Sequence, residues 1–239
     1  MYGAIFGDIV GSVYEFDKGE KTKLFRLFTE DSTFTDDTVM TLAVAQALLE
    51  VGPAAEPDAI SQAVAAWMRR LGQRYPNAGY GGKFAAWLSD PAATAYGSYG
   101  NGSAMRVSPA GWFYETIERT REVARATAAP THNHPEGIKG AEAVASVIFL
   151  ARNGWSRPMI RGYITREFGY DLKRTLDEIR PGYKMDATCQ GSVPEAIIAF
   201  LEAEDFEDAV RGAVSIGGDT DTTACMAGAM AEAYFGIPE

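Results

Sequence analysis

Thr35-Asp36-Asp37-Thr38-Val39-Met40-Thr41-Leu42-Ala43-Val44-Ala45-Gln46-Ala47-Leu48-Leu49 runs into Glu50-Val51-Gly52-Pro53. The stretch from Val39 to Leu49 is made of strong helix formers, and Val51-Gly52-Pro53 stops it. The same signal recurs along the chain. Pro57 with Asp58 opens a second helix, on which Ile60, Val64, Trp67, Met68 and Leu71 repeat at helical spacing. Glu115 to Ala128 forms another, closed by Pro130. Pro135 to Arg152 carries Ala141, Val144, Ala145 and Ile148 on one stripe and stops at Gly154. Ser192 reads as a cap, with Pro194 and Glu195 in the first turn of a helix leading into Ala196-Ile197-Ile198-Ala199-Phe200-Leu201-Glu202-Ala203. Asp205 to Val214 and Thr222 to Tyr234 complete the set. Period-2 alternation is almost absent, and Lys23 to Phe28 (KLFRLF) is the one strand candidate. The expectation is an all-α fold, a compact helical array in a single domain over residues 1–239, with no internal repeat or linker. Trp67, Trp87, Trp112 and Trp155, set among apolar neighbours, read as core.

Charge narrows the partners. The 239 residues hold 22 basic and 32 acidic side chains, a net charge of -10. That balance repels phosphate backbones and anionic lipid, so neither nucleic acid nor a membrane is an expected partner. No run of about 18 apolar residues could span a bilayer. The N-terminus lacks the basic and apolar regions of a signal peptide, and the two cysteines, Cys189 and Cys225, have no metal-ligand spacing. A cytoplasmic monomer is expected, its cysteines reduced unless they form a single disulfide.

The chemistry concentrates where helices begin. Asp219-Thr220-Asp221-Thr222 follows Gly217-Gly218 and opens an Ala/Gly/Met helix, and Thr35-Asp36-Asp37-Thr38 has the same layout. Helix capping accounts for one acid in each cluster. It does not account for Asp36 beside Asp37, or for Asp219 two residues from Asp221, because neighbouring carboxylates repel. A divalent cation relieves that repulsion, and carboxylate and hydroxyl oxygens select Mg²⁺, Mn²⁺ or Ca²⁺ over Zn²⁺. Two such ions would sit about 3.5–4 Å apart on bridging carboxylates, an arrangement that activates water or orients hydroxyls. Glu15, in Gly7-Asp8-Ile9-Val10-Gly11-Ser12-Val13-Tyr14-Glu15, reads from its neighbours alone as a surface acid, and Asp8 as a structural, hydrogen-bonding one. The glycine-rich stretches Gly79–Gly82, Gly97–Gly102 and Gly217–Gly218 lie between helices and are either plain turns or places where a ligand meets backbone.

Together these segments resemble the ADP-ribosylhydrolase family, all-helical glycohydrolases that include the enzyme reactivating ADP-ribosylated dinitrogenase reductase. The likeness runs in order along almost the whole chain: GDIVGSVYE, TDDTVM, GYGGKF, GSYGNGSAMRVSP, THNHPEGIKGA and GGDTDTTACMAGAMAEAYFG. The first of these looks most like the branch that removes ADP-ribose from serine and from O-acetyl-ADP-ribose. The resemblance implies Mg²⁺ as cofactor, two ions, with Mn²⁺ as a substitute. It implies Thr35, Asp36 and Asp37 as ligands of one, and Asp219, Asp221 and Thr222 as ligands of the other, with Asp221 shared. Glu15 matches a loop glutamate that approaches the metals and takes part in catalysis. Gly97, Ser98, Tyr99, Gly100, Asn101 and Gly102 match a loop touching phosphates and ribose, His132 a histidine beside the ribose, and Tyr80 and Gly81 a border of the pyrophosphate. Two departures touch substrate choice: the chain is shorter than many members, and Ser103 stands where Gly or Ala is frequent.

The implied partner is an ADP-ribosylated protein or small molecule. The implied reaction is hydrolysis at the anomeric carbon, with Glu15, Asp36 or Asp221 as general base. Amides of the Gly97–Gly102 loop would cradle the pyrophosphate without a basic patch. Arg106 is either a further substrate contact or the structural partner of an acid. His134 reads as a hydrogen-bonding residue at the helix opened by Pro135. The same family has members without catalysis, so an ADP-ribose-binding or structural protein is the alternative, and a metal phosphohydrolase a second.

Overall fold

The structure is a computed structural model describing residues 1–16 and 18–238. Its helices are α1 (Tyr2–Gly11), α2 (Asp36–Val51), α3 (Pro57–Arg74), α4 (Gly82–Ser89), α5 (Gly102–Met105), α6 (Ser108–Phe113), α7 (Ile117–Ala128), α8 (Pro135–Arg152), α9 (Arg157–Phe168), α10 (Leu176–Ile179), α11 (Cys189–Glu202), α12 (Phe206–Ser215) and α13 (Thr220–Phe235). The fold is all-α, as the periodicities require, and among the described residues no helix is long and apolar enough to cross a membrane.

Helix α8 lies at the centre. Every position from Gly140 to Ala151 is buried, so over this span the helix has no solvent face, and α5, α6, α7, α9, α11 and α13 pack around it. An apolar, small-residue surface on all sides of a helix suits only such a site. His134 caps it, its ring accepting from the Glu136 amide at 3.1 Å, which is the structural role expected of that histidine.

The pair α1 and α13 matters most for function. Gly3, Gly7 and Gly11 recur every fourth residue on α1 and face Gly228, Ala224 and Thr220 on α13. A Cβ on Gly7 would stand 2.0 Å from the Ala224 carbonyl oxygen, and one on Gly11 would stand 2.3 Å from that of Thr220. Only glycine permits backbones this close. The contact brings the Asp8 turn of α1 against the start of α13.

Two local expectations are corrected. Lys23–Phe28 is not a strand. Its carbonyls are held by side chains instead: Arg211 donates to Lys23 O and Phe25 O at 3.0 and 2.7 Å, and the Tyr14 hydroxyl to Arg26 O at 2.7 Å. The helix expected to begin at Ser192 begins at Cys189, capped by Thr188, whose hydroxyl accepts from the Gly191 amide at 3.1 Å. Pro194 therefore lies inside it, and Ser192 Oγ donates to the Thr188 carbonyl at 2.8 Å rather than capping. Helices α1, α4, α5, α6, α9 and α10 are additional to the expected set; most are short or glycine-rich.

Candidate active site

The start of α2 separates capping from the remaining acids. Thr35 is the cap residue, its hydroxyl accepting from the Asp37 amide at 3.3 Å, so neither Asp36 nor Asp37 is needed for it. At α13, Gly217 and Gly218 both take positive φ (77° and 76°), forming the tight turn that only glycine enters freely. Asp219 occupies the cap position without making a side-chain cap bond. Both clusters thus carry carboxylates that helix formation does not use.

These carboxylates converge. Asp8 Oδ2 accepts from the amides of Thr35 and Thr38 at 2.9 and 3.0 Å, and Oδ1 from the Thr35 hydroxyl at 2.7 Å, with the Thr38 hydroxyl also donating. Asp8 is therefore the structural hydrogen-bonding acid expected, and it ties α1 to the start of α2. It does more. Oxygens of Asp8, Asp37 and Asp221 all lie within 4.8 Å of one another, as do oxygens of Glu15, Asp219 and Asp221. Asp221 belongs to both groups. Asp37 Oδ2 accepts from the hydroxyls of Thr222 (3.1 Å) and Thr35 (3.4 Å), whereas the buried Oδ1 has no hydrogen-bond partner among the described residues. Asp219 Oδ2 accepts from Asn101 Nδ2 at 2.7 Å.

Crowding of this kind disfavours ionisation. Burial first, and then the charge of Asp221, pushes Glu15 and Asp36 up to about 7. Burial likewise raises Asp8, Asp37, Asp219 and Asp221 above the ordinary carboxylate range. A cluster of carboxylates and threonine hydroxyls, with the raised carboxylates held towards their protons, fits divalent cations of the Mg²⁺ or Mn²⁺ type.

Glu15 reaches the site from a loop. The next residue, Phe16, is non-glycine at φ 62°, and its amide donates to the Gly218 carbonyl at 3.0 Å. That bond fastens the Glu15 loop to the turn before Asp219 and holds a strained backbone beside the acids.

Glu15, Thr35, Asp36, Asp37, Asp219, Asp221 and Thr222 all line one cleft of about 550 Å³, a size that accommodates a small ligand. Gly81, Ser98, Gly100, Asn101, Gly102 and His132 line it as well. Tyr80, Gly97 and Tyr99 stand outside that lining: Tyr99 is half exposed, its ring tilted against His134, and the Tyr80 hydroxyl is buried without a partner among the described residues. Phe84, Met105 and Met185 are apolar members of the lining, and their helical or loop positions in the sequence carry no sign of a ligand. Arg106, left undecided, is fully buried and lines the cleft.

The glycine loop differs from expectation in one respect. Amides of Gly97, Ser98, Gly100 and Asn101 already donate to Asn133 Oδ1, Thr131 O, Ser98 Oγ and Ala187 O. These four are spent on fixing the loop, which also pairs with Thr188 across an antiparallel bridge, and are not open to an anion.

The family model described as ADP-ribosylglycohydrolase matches residues 1–239. ADP-ribosylhydrolase ARH3 of Mus musculus is 30% identical over 319 aligned residues, covering 100% of this chain and 83% of that protein. The ADP-ribosylarginine hydrolase Tri1 of Pseudomonas putida (strain GB-1) is 25% identical over 272, covering 99% and 70%. Both alignments are longer than the 239 residues of this chain, so these relatives carry segments that it lacks. A solved structure described as an ADP-ribosylglycohydrolase-related protein complex superposes with a TM-score of 0.69 at 26% identity, covering 99% of this chain and 87% of that one. The match of sequence along its full length, together with that of the fold, makes this chain a member of the ADP-ribosylglycohydrolase family.

Proposed function

We propose that this protein hydrolyses, in a Mg²⁺-dependent reaction, the bond joining the ribose of ADP-ribose to an oxygen or nitrogen of a carrier. The observation that supports this most is the meeting of Glu15, Asp37, Asp219 and Asp221 in one cleft with the Ser98–Gly102 loop. Thr35, Asp36 and Asp37 would hold one ion, with Asp8 beside them. Asp219, Asp221 and Thr222, with Glu15, would hold a second, Asp221 serving both; Mn²⁺ suits the same oxygens. When bound, such ions supply positive charge and ligation for sugar hydroxyls and water.

The protein's own groups do the rest. Ser98, Gly100, Asn101, Gly102 and Gly81 form the wall against which the phosphates and ribose are fixed, and His132 faces the same space. Tyr80, Gly97 and Tyr99 border it, Tyr99 offering an open ring at the rim. Fixing the sugar beside Glu15 turns a bimolecular attack into a positioned one. Glu15 accepts a proton from water as the water oxygen bonds to the anomeric carbon, with Asp36 and Asp221 as the other bases within the cleft. The carbon–carrier bond breaks with its electron pair on the carrier, which takes up the proton. The partner is thus an ADP-ribosylated protein side chain or small molecule.

The test is release of free ADP-ribose from O-acetyl-ADP-ribose and from peptides ADP-ribosylated on serine or arginine, in Mg²⁺ and then in EDTA. Turnover of at least one substrate, abolished by EDTA and by Asp221→Ala, is expected. Binding of all three without turnover would replace the enzyme with a binding protein, and phosphate or AMP among the products would point to a phosphohydrolase.

A further inference from the structure

The amides of Gly97, Ser98, Gly100 and Asn101 are engaged within the protein, so a side-chain donor facing the cleft gains weight as a partner for a ligand oxygen. His132 is one of two histidines in the chain and is 5% exposed, on the cleft wall. Its Nε2 faces the glycine loop: a Cβ on Gly102 would stand 3.1 Å from it, and one on Gly100 would stand 3.6 Å away. Its Nδ1 lies 2.7 Å from Thr131 Oγ1. That hydroxyl also accepts from Arg106 Nη2 at 2.9 Å. Arg106 is 1% exposed and donates in addition to Thr127 O at 3.2 Å.

These contacts decide where the imidazole proton sits. A guanidinium only donates, so Thr131 Oγ1 must accept from Arg106. Its own hydrogen then needs an acceptor, and Thr131 is fully buried, with Arg106 Nη2 and His132 Nδ1 as the side-chain partners of its hydroxyl among the described residues. A proton on Nδ1 would leave that hydroxyl a buried donor facing another donor, at the cost of a lost hydrogen bond. Nδ1 must therefore accept, which leaves the proton on Nε2. Burial, and the Arg106 charge behind it, hold the ring well below the ordinary histidine range, so it stays neutral.

We propose that Arg106 and Thr131 are positioning residues that lock His132 as its Nε2–H tautomer, so that it presents a hydrogen-bond donor, and not an acceptor, to an oxygen of the bound ligand. The ligand half of this rests on the cleft being the ADP-ribose site; the tautomer half does not. It also assigns the Arg106 Nη2 group a task inside the protein.

Because the chain has two histidines, protein labelled with ¹⁵N-histidine gives two ring systems, and His134→Gln identifies them. The wild type should show His132 with an unprotonated Nδ1 and a protonated Nε2. Thr131→Val should introduce the Nδ1–H form and weaken ADP-ribose binding about five- to tenfold, the worth of one hydrogen bond. Thr131→Ser should restore both. A wild-type proton on Nδ1 would overturn the proposal even if the valine variant does not fold, and so would an unchanged His132 spectrum in a folded Thr131→Val. Expected spectra with unaltered ADP-ribose affinity in that variant would overturn the donation to ligand. Expected spectra in a wild type that binds no ADP-ribose would support the lock and overturn the functional reading instead.

Discussion

At Asp8 one carboxylate serves two neighbours: it collects donors from Thr35 and Thr38, and it stands within 4.8 Å of oxygens from Asp37 and Asp221. Four donors explain how a buried acid persists there; they do not relieve the acids beside it. That tension sets a pH dependence. Glu15 and Asp36, both pushed up to about 7 by burial and then by Asp221, hold protons in the metal-free fold that the unfolded chain has released. Stability from such groups is present in full below the ordinary carboxylate value and is lost as pH rises through about 7. Bound cation replaces those protons. The gap between the melting temperature in Mg²⁺ and that in EDTA should therefore widen from about pH 4.5 to about pH 7. A gap that stayed constant across this window in a pH series of thermal melts would contradict the reading. Adjacent carboxylates made Asp36, Asp37, Asp219 and Asp221 legible in the sequence, since their repulsion is local. Asp8 as a member of the cluster was not legible, because its acidic neighbours come from other helices. The role of Arg106 was open for the same reason: its partners, Thr127 and Thr131, lie 21 and 25 residues further along the chain.

Among elements, the α1–α13 pair carries the site. Gly7→Ala places a methyl group 2.0 Å from the Ala224 carbonyl, so the helices must separate. Overpacking of this sort costs about 1–3 kcal/mol. The shift also draws Asp8 from Asp221, so Mg²⁺ affinity in calorimetry should fall by more than the same variant at an open glycine such as Gly162, where nothing lies within 4 Å. Equal affinity in a folded Gly7→Ala protein would detach the site from this packing. The long helices α2, α3, α7 and α8 were legible from periodicity and stops, because each buries one stripe or is buried all round. Helix α1 was not, since its glycine spacing gains meaning only when α13 lies against it. KLFRLF failed as a strand because alternation in sequence says nothing of what will pair its backbone, and here Arg211 and Tyr14 do so.

Across the whole molecule, the acidity expected to favour cations is in part concentrated inside: Asp8, Asp37, Asp219 and Asp221 are all buried at the junction of α1, α2 and α13. The two chain ends meet there, which is why clusters some 180 residues apart in sequence form one site. The fold and the composition of the site were legible at this scale through the order of the motifs. The cleft's apolar wall and the spent loop amides were not, since both depend on which groups pack together. The relatives carry segments that this chain lacks. The claim that this junction is a binuclear cation site is tested most directly by anomalous diffraction from crystals grown with Mn²⁺. Two anomalous peaks should appear in the cleft, both within ligand distance of Asp221, one towards Asp37 and one towards Asp219. No peak among these carboxylates, with Mn²⁺ in the crystal, would contradict it.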